Sequence, residues 1–77
     1  MKISVLQKHI DAGIKGNCVK DPIALAMRDA GLDPVWVGPT FIEWGNKSAP
    51  TPDEALEFMK AFDNDRLVYP FTFELEG

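Results

Sequence analysis

The stretch TPDEALEFMKAF, residues 51–62, decides the fold because it begins a helix with strong capping signals. Thr51 is expected to accept a hydrogen bond at the N-cap, and Glu54, three residues later, to complete a capping box. Pro52 fits the first turn, where its missing N–H costs nothing. The sequence therefore predicts a helix over residues 52–62. Its buried side chains are expected to be Ala55, Leu56, Met59 and Phe62, with Phe58 at the margin.

A second helix is predicted upstream, where Asp21 precedes Pro22 and can cap the first turn with its side chain. This helix covers residues 22–30 and ends before Gly31, a residue type favoured just after a helix. Its apolar residues recur at helical spacing and are expected to face the core as one stripe, formed by Ile23, Ala26, Met27 and Ala30. A shorter helical turn is predicted over residues 9–13.

Four segments have the alternation, or the β-branched and aromatic composition, of strands: residues 2–6, 35–37, 40–44 and 69–76. Gly38-Pro39 is typical of a tight turn, which makes residues 35–44 a hairpin, and residues 45–50 are predicted to be a polar loop. The order of elements matches the split βαβ, ferredoxin-like arrangement. We predict a single α+β domain, residues 1–77, with one antiparallel sheet packed by two helices. Other connections between the same elements are the alternative.

The composition is that of a folded globular domain, since 45% of the 77 residues are hydrophobic and 26% are charged. A single cysteine excludes an internal disulfide. The N-terminus has no signal-peptide pattern, and no window approaches the roughly 18 apolar residues that a membrane span needs. We therefore expect a soluble, cytoplasmic protein with no membrane partner. Because Met1 leads almost directly into the first strand, we also expect a complete small gene product.

The net charge of −4 is unevenly distributed along the chain. Residues 1–20 hold four lysines against one aspartate, whereas residues 21–77 hold eleven acidic against four basic side chains. The acidic majority argues against general nucleic-acid binding, which needs clustered Lys and Arg. One alternative stays open, a nucleic-acid-associated protein that uses the basic N-terminal segment with Lys2, Lys8, Lys15 and Lys20.

The sequence contains no recognisable catalytic constellation, so we predict that the protein is not an enzyme and needs no metal or cofactor. Cys18 and His9 are the only cysteine and histidine, too few for a zinc site without carboxylates. Asp21 and Glu54 are explained as helix caps. A further alternative is a small thiol enzyme in which His9 activates Cys18, since a helix N-terminus favours a thiolate. Otherwise the two are a partly buried loop cysteine and a surface histidine.

The predicted hairpin is apolar on both faces, and in so small a protein two helices do not easily cover both of them. If Val35 and Val37 face the core, Trp36 lies on the other side of its strand. Trp36 then either packs under a loop or helix, or it anchors a protein partner or a second copy of the chain. The residues expected to touch the partner are Trp36, Trp44, Glu74 and Glu76.

A recognisable pattern of residues covers both ends of the chain. It is formed by Val5, His9-Ile10, Gly13, Cys18 and residues 22–26, and then by Ala61-Phe62-Asp63, Val68, Pro70-Phe71 and Phe73-Glu74-Leu75. This pattern resembles small uncharacterised proteins of bacteriophages and actinobacteria. In those proteins a second cysteine often precedes the proline, where this chain has Asp21. The resemblance implies a phage origin and brings no established activity.

The leading hypothesis is therefore a small acidic, non-enzymatic protein-binding module. It would be a phage accessory factor, such as a counter-defence inhibitor, whose partner is a host or phage protein. The acidic surface would suit a basic surface on that partner. Self-association into a homo-oligomer, through the hairpin or the terminal strand, is an alternative.

Overall fold

The structure is a computed structural model that describes residues 1–76, so Gly77, the last residue of the predicted domain, lies outside the described residues. The chain contains both helices and strands, and the strands pair antiparallel, which confirms the α+β class. In chain order, the elements are β1 (Lys2–Val5), α1 (Gln7–Ala12), α2 (Pro22–Asp29), β2 (Val35–Val37), β3 (Phe41–Trp44), β4 (Lys47–Pro50), α3 (Asp53–Asp63) and β5 (Phe71–Glu74).

The strands form two antiparallel sheets rather than one. β1 pairs with β5, with Ile3 opposite Phe73, and the other sheet has the order β2-β3-β4. The predicted single sheet and its ferredoxin-like topology are therefore wrong. The reason is that β3 is flanked on both edges by its chain neighbours. Since no edge of β3 is left for a terminal strand, the two ends of the chain pair with each other.

The strand that the sequence analysis missed is β4, which occupies part of the predicted polar loop. Its Ala49 lies opposite Ile42, and Thr51 N–H donates to the Thr40 carbonyl at 3.0 Å just beyond the strand. Because alternate residues of a strand point their backbone groups to the same edge, Ser48 and Pro50 face away from β3. Pro50 thus has no ladder bond to lose, and an edge strand tolerates it.

The start of α3 also differs from the prediction. The N-cap is Pro52, no side chain caps the helix, and the Thr51 hydroxyl instead donates to the Gly38 carbonyl at 2.7 Å. The predicted capping box is therefore wrong, because Thr51 holds the β2–β3 turn. In contrast, the predicted cap of α2 is confirmed: Asp21 Oδ1 accepts a hydrogen bond from Ala24 N–H at 2.7 Å.

Both sheets and all longer helices contribute to one hydrophobic core. The predicted stripe of α2 is confirmed for Ile23, Ala26 and Met27, which are buried, but Ala30 is exposed beyond the end of the helix. On α3, Phe58 lies at the centre of the buried face instead of its margin. Its ring stacks on Phe71 with 4.8 Å between the centroids, so β5 determines which side of α3 faces inward.

Candidate functional site

Two aromatic side chains lie together on the outer side of the three-stranded sheet. Trp36 on β2 is 39% exposed and Phe41 on β3 is 43% exposed. Their ring centroids are 5.9 Å apart, with an angle of 41° between the planes. We call this pair, with Glu43 directly opposite Trp36 in the register, the aromatic face. A surface of this composition is typical of sites where proteins meet.

The Trp36 ring is fixed in place by the turn that follows β2. A Cβ atom added at Gly38 would lie 2.2 Å from Cζ3 of Trp36, so the indole rests directly on this glycine. The turn is itself held by the Thr51 hydroxyl. Because the ring packs against Gly38 and Phe41, it loses little further freedom when it is covered.

The four residues predicted to touch a partner do not form one surface. Trp36 is exposed as expected, but Trp44 is only 7% exposed and belongs to the core. Trp44 lies opposite the buried Val35 in the register, so the alternation of β3 points it inward. The structure thus corrects the assignment of Trp44. Glu74 and Glu76 are exposed but belong to the β1–β5 side, where Glu74 lies 3.5 Å from the N-terminal ammonium.

Sequence reasoning missed Phe41 as a site residue, although its signal was visible. Phe41 and Ile42 are neighbours in a strand and therefore lie on opposite faces, and the structure has Ile42 buried and Phe41 exposed. Phe41 shares the outer side with Trp36 because both lie one residue from an inward-facing position. The alternation that places Trp36 outward therefore also places Phe41 outward.

A cleft of about 320 Å³ lies between the loop before α2, the edge of β2 and one side of α3. The loop is held at both sides, since Val37 N–H donates to the Cys18 carbonyl at 2.8 Å and Gly16 N–H donates to Asp63 Oδ1 at 3.0 Å. The lining residues come from three separate segments: Gly16, Asn17, Cys18, Asp21, Val37, Pro39, Leu56, Met59, Lys60 and Asp63. Such a set could not be assembled from sequence spacing.

The carboxyl group of Asp21 has an unusual environment in this cleft. The residue is 6% exposed, and burial raises the pKa of its carboxyl from 3.8 to about 7. The hydrogen bond from Ala24 N–H opposes this rise, while the negative charge of Asp63 adds to it. Perturbed carboxyl groups in clefts are frequent at functional sites, although a buried helix cap has the same effect.

The structure does not bring Cys18 and His9 together as a nucleophile and a base. His9 is buried, not on the surface, and its Nδ1 accepts a hydrogen bond from Leu6 N–H at 2.9 Å. Nε2 then carries the proton and donates it to Asp29 Oδ2 at 2.7 Å. This bond and the one from Lys8 hold the pKa of the Asp29 carboxyl below its ordinary value. Nδ1 of His9 therefore caps the start of α1, and Nε2 joins α1 to α2.

The lysines of the N-terminal segment are partly neutralised. Lys8 lies 3.2 Å from Asp29, and Lys15 forms an ion pair with Asp65. Lys2 lies opposite Glu74 in the register of the two-stranded sheet. This distribution gives the nucleic-acid alternative little support, because phosphate binding needs basic groups that are not already paired.

Within residues 1–76, no group of three His, Cys, Asp or Glu side chains is arranged to hold a metal ion. Across the same residues, each helix is too short or too polar to cross a membrane. Comparison of the chain with family models, with curated proteins and with solved structures gives no match. The resemblance to phage and actinobacterial proteins therefore stays a prediction.

Proposed function

We propose that this protein is a non-catalytic protein-binding module that engages its partner through the aromatic face. The observation that carries the proposal is the Trp36–Phe41 pair, two contacting rings that are both exposed on the outer side of the three-stranded sheet. Tryptophan is the residue type most enriched among the residues that dominate binding energy. The pair offers a large apolar contact at low cost in side-chain entropy, since the Trp36 ring is already packed on Gly38.

The partner surface follows from the composition of the aromatic face. An apolar groove on the partner would complement Trp36 and Phe41. A basic group beside that groove would complement Glu43, which lies opposite Trp36. The net charge of −4 also favours approach to a basic surface. The resemblance to phage proteins makes a host protein the first class to test, and an inhibitor is the phage role that such binding would serve.

Recognition by side chains is favoured over strand addition at this sheet. The edge of β2 is already bonded to the loop through Val37 and Cys18. The other edge is β4, where Pro50 faces outward and cannot donate a hydrogen bond. A partner would therefore bind across the face of the sheet instead of extending it.

The test is affinity capture from a bacterial lysate, followed by calorimetry with the purified captured protein. Trp36→Ala should weaken the measured affinity at least about tenfold, because it removes the central anchor. Gly38→Ala should also weaken it, since the added Cβ would displace the indole without deleting it.

The matched control is Tyr69→Ala, which removes an aromatic side chain that is 68% exposed but lies outside the aromatic face. It should bind as the wild type does. Equal affinities for the wild type, Trp36→Ala and Gly38→Ala would refute the proposal. Light scattering supplies a further check, because a dimer that Trp36→Ala dissociates would identify the partner as a second copy.

A further inference from the structure

We propose that the aromatic face receives a proline-rich segment of its partner, in the polyproline II conformation and with an arginine beside the prolines. This inference rests on the proposed function, because it names the kind of peptide that the Trp36–Phe41 pair would bind. Three features carry it: an apolar groove that continues the pair, outward hydrogen-bond donors without partners, and an unpaired carboxylate.

The first feature is a groove that extends the aromatic face towards β4. It has a volume of about 390 Å³ and is lined by Thr40, Phe41, Ser48, Ala49 and Pro50. Phe41 lies directly opposite the exposed Pro50 in the register, so their side chains share the outer side of the sheet. The exposed apolar surface therefore continues from the two aromatic rings to the pyrrolidine ring on β4. Grooves lined by aromatic rings are the usual binding sites of proline-rich segments.

The extent of this surface matches the repeat of a polyproline II helix. Neighbouring strands are about 4.8 Å apart, so β2 and β4 are separated by roughly 10 Å across β3. A polyproline II helix has three residues per turn and rises about 3.1 Å per residue, so every third residue returns to the same side after about 9 Å. A segment that crosses the strands can therefore place one proline on Trp36 and the third residue after it, also a proline, in the groove. The space between these two prolines is the apolar groove that complements the aromatic rings.

The second feature is a pair of hydrogen-bond donors on exposed residues of this side of the sheet. Within residues 1–76, the Nε1–H of Trp36 and the hydroxyl of Ser48 form no hydrogen bond. A polyproline II segment has no internal hydrogen bonds, so its carbonyl oxygens are free to accept, and its prolines have no N–H to satisfy. A helix uses its backbone groups internally, and an added strand needs an open sheet edge. The free donors therefore favour a proline-rich segment over both.

The third feature is the charge of Glu43, which lies between Trp36 and Ser48 in the register of the sheet. Glu43 is exposed and forms no ion pair with any other described residue. The planar guanidinium of arginine matches a carboxylate with two parallel N–H groups. Because Glu43 borders the surface that the prolines would cover, an arginine next to a proline can reach it. Charge complementarity thus adds a basic residue to the proline-rich segment.

The experiment is an NMR titration of the full chain with an acetylated nonapeptide that consists of three Pro-Pro-Arg repeats. In the polyproline II conformation the arginines of this peptide share one side and the prolines occupy the other two. Saturable shifts are expected for the indole N–H of Trp36, assigned with Trp36→Phe, and for the backbone amides of Glu43 and Ser48. The indole of Trp44, which belongs to the core, should shift little. No saturable shift at millimolar peptide would overturn the inference.

Two control peptides separate the contributions of the prolines and the arginines. Replacing each proline by alanine keeps the charges but removes the rings and the preformed conformation, so the affinity should fall at least about tenfold. Replacing each arginine by glutamine should lower it by about two- to fivefold. Equal affinity for the alanine peptide would mean attraction by charge alone, and equal affinity for the glutamine peptide would mean that arginine is not recognised. Either result would reject the proposal.

Glu43→Gln tests the contact with arginine. It should weaken binding of the Pro-Pro-Arg peptide by about two- to fivefold, the range for an exposed ion pair, and leave binding of the glutamine peptide unchanged. Glu57→Gln is the matched control, because it removes the same charge from an exposed position on α3. It should bind as the wild type does. Equal losses in the two variants would reveal an effect of net charge and would contradict the contact.

Ser48→Ala tests whether the segment reaches β4. Loss of one hydrogen bond should weaken binding of the Pro-Pro-Arg peptide by about two- to tenfold. The matched control is Ser4→Ala, which removes an exposed serine hydroxyl from β1 in the other sheet and should have no effect. Unchanged affinity in Ser48→Ala would place the peptide away from the groove and would contradict the proposal.

The outcome can be separated from that of the proposed function. If a captured partner depends on Trp36 but the Pro-Pro-Arg peptide does not bind, the proposed function stands and this inference is wrong. If Trp36→Ala changes the affinity for neither, both are wrong. Shifts of the same signals with protein concentration, in the absence of peptide, would identify a second copy of the chain as the occupant and would also overturn this inference.

Discussion

The two tryptophans of the three-stranded sheet have opposite environments although they lie on paired strands. Trp44 faces inward and belongs to the core, whereas Trp36 faces outward and rests on Gly38. Trp44 lies opposite Val35 and Trp36 lies opposite Glu43, so one step along the register separates burial from exposure. The same residue type is therefore part of the core at one position and exposed at the other.

The largest effect that would test this contrast is expected from Trp44→Ala. Deletion of a buried tryptophan leaves a cavity and should lower the free energy of unfolding by about 3–5 kcal/mol. A chain of this size has a total stability of only about 4–12 kcal/mol, so the variant should be barely folded. Urea unfolding followed by circular dichroism gives the measurement. A loss of less than about 1 kcal/mol would mean that Trp44 does not belong to the core.

Asp21, a buried residue at the start of α2, lines the same cleft as Val37 of the three-stranded sheet. Because the folded pKa of Asp21 is about 7 and its ordinary value is 3.8, the folded chain holds a proton that the unfolded chain releases over this range. Stability should therefore fall as pH rises from about 4 to about 7, by on the order of 1 kcal/mol per pH unit, and then level off.

Asp21→Asn is the control for this pH dependence, since it keeps the cap and removes the titration. The stability of the variant relative to the wild type should increase across the same range, as measured by thermal unfolding at several pH values. Parallel curves would contradict the assignment. The ionisation of Asp29 changes the stability in the opposite direction, and at a pH below the range over which Asp21 acts. Its pKa is lowered by His9, so the stability it contributes is lost only as the pH falls below 3.8.

A smaller effect is expected at the turn that supports the outward tryptophan. Thr51→Val removes the hydroxyl that donates to the Gly38 carbonyl at 2.7 Å and leaves a partly buried acceptor without this partner. The free energy of unfolding should fall by about 1–3 kcal/mol, measured by urea unfolding. Thr51→Ser keeps the donor and should lose less than half as much. Equal losses in the two variants would show that the methyl group, not the hydrogen bond, is what matters.

Much of the fold was visible in the sequence where one local rule dominates. Asp21 before Pro22 predicted a cap that the structure confirms, and the alternation around Trp36 placed that side chain outward. The capping prediction for Thr51 rested on an equally strong local rule but was wrong, because the Thr51 hydroxyl instead makes a tertiary hydrogen bond to the Gly38 carbonyl. A local signal therefore decides the structure only where the side chain does not form a hydrogen bond with a group that is distant in the sequence.

The sheet arrangement and the cleft could not be predicted for a different reason. β4 has a polar composition and includes Pro50, so its pairing depends on β3 and not on its own propensity. With β4 on that edge, β1 and β5 pair with each other in a separate sheet. The cleft depends on this arrangement, since Asp21 and Asp63 are far apart in the chain and approach only in the folded protein.

The smallest effect on stability is expected from Trp36→Ala, and it completes the contrast with Trp44. Trp36 is 39% exposed, so its removal should change the free energy of unfolding by about 1 kcal/mol or less. The contact with Phe41 accounts for most of that change, because aromatic pairs contribute about 0.5–1.5 kcal/mol. The measurement is the same urea titration that is applied to Trp44→Ala.

The comparison with Phe41→Ala sharpens this expectation. If the two rings stabilise each other, the double variant should lose less than the sum of the single variants, which a double-mutant cycle measures directly. A loss of about 3 kcal/mol or more in Trp36→Ala alone would place this tryptophan in the core with Trp44. The aromatic face would then be a structural element, because a side chain that the fold requires to that extent is not available to a partner.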